Sequence, residues 1–240
     1  MIPLRSLLFN LIFWLSVPVY ALPALLIAVF LPFPRRFRLL SSWGRFHTWL
    51  VRRLCGLHYR VTGLSHLPRH GAAIIFSKHQ SAWETIAFQE IFPPQTWVLK
   101  RELMWLPVFG WGLALLKSIA IDRGAGHKAV EQIVKQGRER LDEGIWVLIF
   151  PEGTRMAPGH KRRYGIGGAV LAAETGYPVV PVAHNAGSFW PRRGFLKKPG
   201  KIEVVIGPAI DPRGLSAAEI NRRAEQWIEA TVARLEGRAT

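Results

Sequence analysis

A chain of 240 residues can bury one full core and carry an appendage, which excludes two complete catalytic domains. Its 32 Lys and Arg against 16 Asp and Glu give a net charge of +16, favouring anionic partners such as nucleic acid, a phospholipid surface, or phosphorylated and acidic substrates. The single cysteine, Cys55, excludes an internal disulfide framework and leaves too few soft ligands for a zinc cluster, so no metal is expected.

From Ser6 to Pro34 the chain runs 29 residues without a charge, more than the roughly 20 needed to cross a bilayer core, so membrane association is predicted. The apolar run is longer than the roughly 7 to 15 residues of a cleavable signal peptide. Pro18, Pro23 and Pro32 interrupt helical hydrogen bonding, so kinked, spanning and dipping geometries all fit. Next, Arg35, Arg36, Arg38, Arg45, Arg52, Arg53 and Arg60 alternate with Leu39, Leu40, Trp43, Phe46, Trp49, Leu50 and Leu54 at helical spacing. A basic amphipathic helix of this kind suits an anionic membrane surface, and its arginines place this flank on the cytoplasmic side. Residues 1–60 therefore read as an N-terminal membrane-anchoring helical motif. Residues 61–240 form the remaining domain.

Beyond residue 60, short β-prone runs alternate with helical patterns, which predicts an α/β fold with a sheet flanked by helices. Strands are expected at 72–77, 96–100, 118–122, 145–150, 179–183 and 202–206. A helix is expected over 125–143, with Val130, Ile133, Val134 and Leu141 on its buried side and Gly144 as its stop. The last helix opens on a capping box, Ser216 to Glu219, and carries Ile220, Ala224, Trp227, Ile228, Thr231, Val232 and Leu235 as its apolar stripe.

Two segments carry chemistry. Glu84 is the first acidic residue of the chain, and it follows His79 by five positions. On one continuous helix five residues would leave the two side chains roughly 140° apart. If Ser81 is the N-cap, Ser81-x-x-Glu84 is a capping box, the helix starts at Ala82, and His79 stands in the loop before it, able to fold back onto Glu84. Glu84 would then orient one ring nitrogen while the other faces a hydroxyl. A capping role accounts for Glu84 by itself. The second segment, Pro151-Glu152-Gly153-Thr154-Arg155, follows the apolar run 146–150, at the end of a strand where α/β sheets place ligands. Gly153 allows close backbone approach, Thr154 supplies a hydroxyl, and Arg155 suits a phosphate. Lys100 and Arg101 end another strand, before an apolar, glycine-containing stretch (Leu106–Gly112) that suits an acyl-chain groove or, equally, a core or membrane-facing helix. Ser77, Ser81 and Ser188 lack a Gly-x-Ser-x-Gly setting, which disfavours a covalent acyl-enzyme.

These segments, together with Val180-Pro181-Val182, resemble the four ordered blocks of the glycerolipid acyltransferase family over roughly residues 77–185. Where that family usually has His-x4-Asp, this chain has His79-x4-Glu84, one methylene longer. The resemblance implies a mixed sheet flanked by helices with an N-terminal helical membrane motif. It also implies that His79 acts as base and Glu84 as its orienter, and that Glu152, Gly153, Thr154 and Arg155 shape a glycerol-phosphate site. Lys100 and Arg101 become candidates for the phosphate or the donor. The expected reaction moves an acyl group from acyl-CoA or acyl carrier protein to the sn-2 hydroxyl of lysophosphatidic acid, with no cofactor beyond the thioester co-substrate, at the cytoplasmic face of a bacterial inner membrane. Another lysolipid as acceptor is the alternative within enzymes. A membrane-tethered nucleic-acid binder is the rival class; the basic residues concentrate beside the apolar N-terminus and no aromatic RNA-binding signature occurs, so no nucleic-acid partner is expected.

Overall fold

A computed structural model describes residues 1–237. In chain order the helices and strands are α1 (Ile2–Ala28), α2 (Phe33–Cys55), β1 (Leu57–Thr62), β2 (Ile74–Ser77), α3 (Trp83–Ile91), β3 (Gln95–Lys100), α4 (Phe109–Leu115), β4 (Ile119–Ile121), α5 (His127–Asp142), β5 (Trp146–Ile149), α6 (Gly167–Thr175), β6 (Val179–His184), α7 (Ala186–Phe189), β7 (Gly200–Ile206) and α8 (Ala217–Leu235). Seven strands form one sheet in the order β1-β7-β6-β2-β5-β3-β4. All neighbours are parallel except β6 and β7, so the sheet is mixed. Its central strands β2, β5 and β6 are buried along their whole length, as expected of a sheet covered on both faces.

Each predicted strand is present, displaced by at most two residues at an end. The strand missed is β1, which is separated from α2 by the single residue Gly56 and pairs in parallel with β7. It begins at Leu57, so the change of composition near residue 60 falls inside a strand rather than between folding units. α2 packs against α3 and β1, which joins the N-terminal helices to the sheet directly.

α1 is continuous through Pro18 and Pro23, where an interruption was expected. Each proline removes one N–H from the ladder, yet the remaining bonds carry the helix on. At about 1.5 Å per residue its 27 residues extend roughly 40 Å, enough by length and composition to cross a bilayer. Most of it is not covered by the rest of the chain: Leu4, Trp14, Val19, Leu26 and Ile27 are exposed. α4 packs beside α1, and Phe109 and Trp111 on it, with Trp105 and Leu106 in the segment before it, are exposed. Of the basic residues in α2, Arg36 faces inward. Its guanidinium donates to the carbonyls of Ala28, Leu31 and Leu115 at 3.0, 2.9 and 3.1 Å, closing the end of α1 and tying it to α4.

The turn after β1 depends on Gly63, whose φ of +82° lies in the left-handed region and whose added Cβ would stand 2.1 Å from the Ile206 carbonyl oxygen. Gly63→Ala is expected to destabilise by about 2 kcal/mol or more, since the left-handed conformation alone costs roughly 1–2 kcal/mol for an L-residue and a backbone atom cannot step aside. Thermal unfolding of the detergent-solubilised protein checks this: at about 2–4 °C per kcal/mol, the midpoint falls by roughly 4–8 °C.

Candidate active site

Parallel pairing decides what meets at the edge of the sheet. β2 lies between β5 and β6, with Phe76 level with Ile149 and Pro181, so the segments leaving their C-terminal ends emerge side by side. Those segments are Lys78–Glu84, Phe150–Arg155 and the residues from His184 onward. β3, on the far side of β5, brings Lys100 and Arg101 to the same edge. Four stretches far apart in sequence thus share the carboxyl edge where such sheets bind ligands.

The entry to α3 is bent as the spacing requires, with the helix starting at Trp83, one residue later than expected. Ser81 Oγ accepts from the Trp83 N–H at 3.0 Å, and Glu84 reaches back. Its Oε1 accepts from the N–H groups of Gln80 and Ser81 at 2.8 and 2.7 Å and pairs with His79 Nδ1 at 2.8 Å. One carboxylate oxygen therefore closes the loop and holds the imidazole. Burial disfavours the charge on Glu84, but the hydrogen bonds it accepts from His79 and the Ser81 N–H outweigh it, and its pKa lies below the ordinary carboxylate value. An ionised carboxylate can only accept, so Nδ1 is the donor in this pair and Nε2 is the ring nitrogen left to face a substrate. The ring stacks on Phe150, centroids 4.0 Å apart and planes 16° apart, which fixes it from the side of the second segment. With 14% of its side chain exposed, His79 can be reached by a substrate.

The second segment wraps around the first. The Met156 N–H donates to the His79 carbonyl at 2.7 Å. Glu152 is buried behind the loop, Oε1 on Lys78 Nζ at 2.7 Å and Oε2 accepting the His79 N–H at 3.2 Å. Both its oxygens are engaged, so it supports the loop from within rather than facing a ligand. Burial raises its pKa above the ordinary value, against the pull of the Lys78 ammonium. Gly153 supplies the positive φ of the turn, 68°, and its carbonyl accepts from the Arg123 guanidinium. Thr154 is half-buried. Arg155 lines a cavity of about 330 Å3 with Met156, His160 and Arg192, and its Nε is buried with no protein partner among the described residues. His79 does not line the cavity; the link between them is Met156, a lining residue, whose N–H donates to the His79 carbonyl. Lys100 and Arg101 stand half exposed on the rim, paired with Glu102 at 2.9 Å and Asp122 at 3.3 Å.

Three contributors were not visible as motifs. Arg123 is one. His184, fully buried at the end of β6, lies behind the pair: Nε2 donates to the Lys78 carbonyl at 2.8 Å and Nδ1 accepts from the Ala186 N–H at 3.3 Å. Burial lowers its pKa, which keeps it neutral in that role. Lys78 is 1% exposed, and a lysine directly following the β-prone run 72–77 was the signal that could have marked it. Among the described residues no group of three or more His, Cys, Asp or Glu is placed to hold a metal ion.

Comparison with known proteins agrees with this arrangement. A family model described as "Acyltransferase" matches residues 58–185, a span that holds His79, Glu84, Lys100, Arg101 and the Glu152–Arg155 turn. The chain is 47% identical over 236 residues to a 1-acyl-sn-glycerol-3-phosphate acyltransferase of Pseudomonas aeruginosa, covering 97% of this chain and 91% of that protein. It is 26% identical over 178 residues to the human 1-acyl-sn-glycerol-3-phosphate acyltransferase alpha, covering 73% and 63% of the two chains. The fold matches the crystal structure of the 1-acyl-sn-glycerophosphate (LPA) acyltransferase of Thermotoga maritima with a TM-score of 0.81 over 100% of both chains, at 22% identity. A histidine–carboxylate pair at the carboxyl edge of this sheet, within a matched span of this length, places the chain in the acyltransferase family.

Proposed function

We propose that the chain transfers an acyl group from an acyl thioester to the sn-2 hydroxyl of lysophosphatidic acid, forming phosphatidic acid. The observation that carries this reading is the 2.8 Å bond from His79 Nδ1 to a fully buried Glu84, which leaves Nε2 as the base. Nε2 takes the proton of the acceptor hydroxyl as its oxygen attacks the thioester carbonyl. The tetrahedral adduct then collapses, the C–S bond breaks, and the imidazolium returns its proton to the departing thiolate. No acyl-enzyme is needed, and no cofactor beyond the thioester co-substrate, acyl-CoA or acyl carrier protein.

Gly153, Thr154 and Arg155 shape the glycerol-phosphate site, with Arg155 as the phosphate ligand and Lys100 and Arg101 as further cations on the rim. A guanidinium lining a cavity on the segment that follows the Glu152 turn suits a phosphomonoester. Membrane contact is made through α1 and the exposed aromatic surface of α4, which suits a lipid acceptor. The excess of arginine after α1 supports a catalytic domain on the cytoplasmic face of a bacterial inner membrane, against an anionic lipid surface.

The test offers lysophosphatidic acid with each thioester donor to purified protein and identifies the lipid product by mass. Phosphatidic acid is expected, with transfer at least tenfold faster than to a lysolipid whose phosphate carries a head group. Equal rates across acceptors would refute the phosphate assignment and favour a broader lysolipid acyltransferase.

A further inference from the structure

Burying an ammonium is costly unless it is fully paired, and replacing a buried ion cluster by apolar groups is often neutral or stabilising. The cluster around Lys78 therefore calls for a reason other than stability. Its Nζ donates to Glu152 Oε1 at 2.7 Å, to both oxygens of Glu229 at 2.8 and 3.1 Å, and to the His160 carbonyl at 3.1 Å. Two carboxylates face one ammonium, and Tyr164 contributes a further donor, its hydroxyl reaching Glu229 Oε1 at 2.9 Å. Glu152 passes the restraint on, since its other oxygen holds the His79 N–H. The path runs from α8 through Lys78 and Glu152 to the backbone of the proposed base.

α8 makes a second attachment on the other side of His79. Glu236 Oε1 accepts from Gln80 Nε2 at 2.7 Å, and its Oε2 accepts from the Gly159 N–H at 3.0 Å. Glu236 caps the C-terminus of α8, its N–H still donating to the Val232 carbonyl at 3.0 Å, and it follows Glu229 by seven residues, about two turns, so the two lie on the same side of the helix. They tie down the residues immediately before and after His79, and both lie outside the span 58–185 that the family model matches.

From this juxtaposition we propose that Glu229, acting through buried Lys78, is a positioning residue for acyl transfer, and that α8 braces the His79 loop from behind while Glu84 orients its ring from the side. The inference rests on the reading of His79 as the base. Glu229 is the residue to vary because it lies at the edge of the cluster, with 18% of its side chain exposed, whereas loss of Lys78 would strand two carboxylates.

Glu229→Leu is expected to lower kcat by about 10- to 100-fold, the scale of a misplacement near 1 Å, with KM for lysophosphatidic acid and for the thioester within about twofold of the parent. Glu229→Gln, which keeps hydrogen bonding to Lys78 and Tyr164, should recover kcat to within about fivefold. Glu236→Ala, at the last turn of the helix, should lower kcat by about three- to tenfold with the same unchanged KM, and provides the test if Glu229→Leu does not fold. A folded Glu229→Leu with normal kcat overturns the proposal, as does a fall explained entirely by loss of folded protein, or a Glu236→Ala of unchanged kcat where only that variant folds. His79→Ala run alongside separates the two readings: full activity there removes the base itself, whereas an inactive His79→Ala beside a normal Glu229→Leu removes only the brace.

Discussion

His79→Ala is expected to lower acyl transfer by about 10²- to 10⁴-fold, the range for loss of a general base, in protein that remains folded. The imidazole is held by one hydrogen bond and one stacked ring, so its removal takes little from the core. Glu84 Oε1 keeps two backbone N–H donors, and the entry to α3 therefore keeps its shape. The phosphate site proposed at Arg155 is left in place by the substitution, so KM for lysophosphatidic acid should move far less than kcat. Initial rates on purified protein, with circular dichroism and the unfolding midpoint as controls, measure both. A folded variant with near-normal turnover would exclude His79 as the base.

How far the sequence reveals this depends on the range of each interaction. The His79–Glu84 pair was legible because it is local: Ser81 bends the chain, and the spacing then brings the ring back onto the carboxylate. The last helix announced itself through the same chemistry, Ser216 Oγ accepting from the Glu219 N–H at 3.2 Å. Its apolar stripe was nearly complete, and the surprise lay on its other contacts. Glu229 is separated from Lys78 by 151 residues, and nothing in its own surroundings distinguishes it from a solvated helix charge. Glu152 misled for a related reason. Beside Gly153 and Arg155 it reads as part of a ligand loop, and only the third dimension puts Lys78 behind it. β1 was hidden because its alternation of Leu57, Tyr59 and Val61 with His58 and Arg60 continues the charge pattern of α2, and only Gly56, in the left-handed conformation at φ 66°, separates the two. The arginines after α1 looked uniform in composition, yet Arg36 is taken up by three carbonyls.

Glu84 should be the most exacting position of the site, because one oxygen serves three donors. Glu84→Ala is expected to cost about 10³-fold or more in kcat, comparable to uncoupling the carboxylate from the histidine of other triads, and to leave the Gln80 and Ser81 N–H groups buried without a partner. Glu84→Asp withdraws the carboxylate by one carbon–carbon bond, about 1.5 Å, so contacts of 2.7–2.8 Å cannot all survive; a loss of about 10- to 100-fold is expected. The longer acid is thus matched to this loop, and aspartate, though usual in the family this chain resembles, is not its equivalent here. The same carboxylate sets an acid limit. Its folded pKa lies below the ordinary value, so its stabilising contribution is complete above the unfolded pKa and is lost as pH falls through the folded one. The unfolding midpoint of the parent should therefore fall more steeply than that of Glu84→Gln once pH drops below about 4.3, the ordinary glutamate value, and the difference between them should shrink with further acidification. Parallel curves for the two proteins through that window would show that Glu84 is not held ionised by the loop.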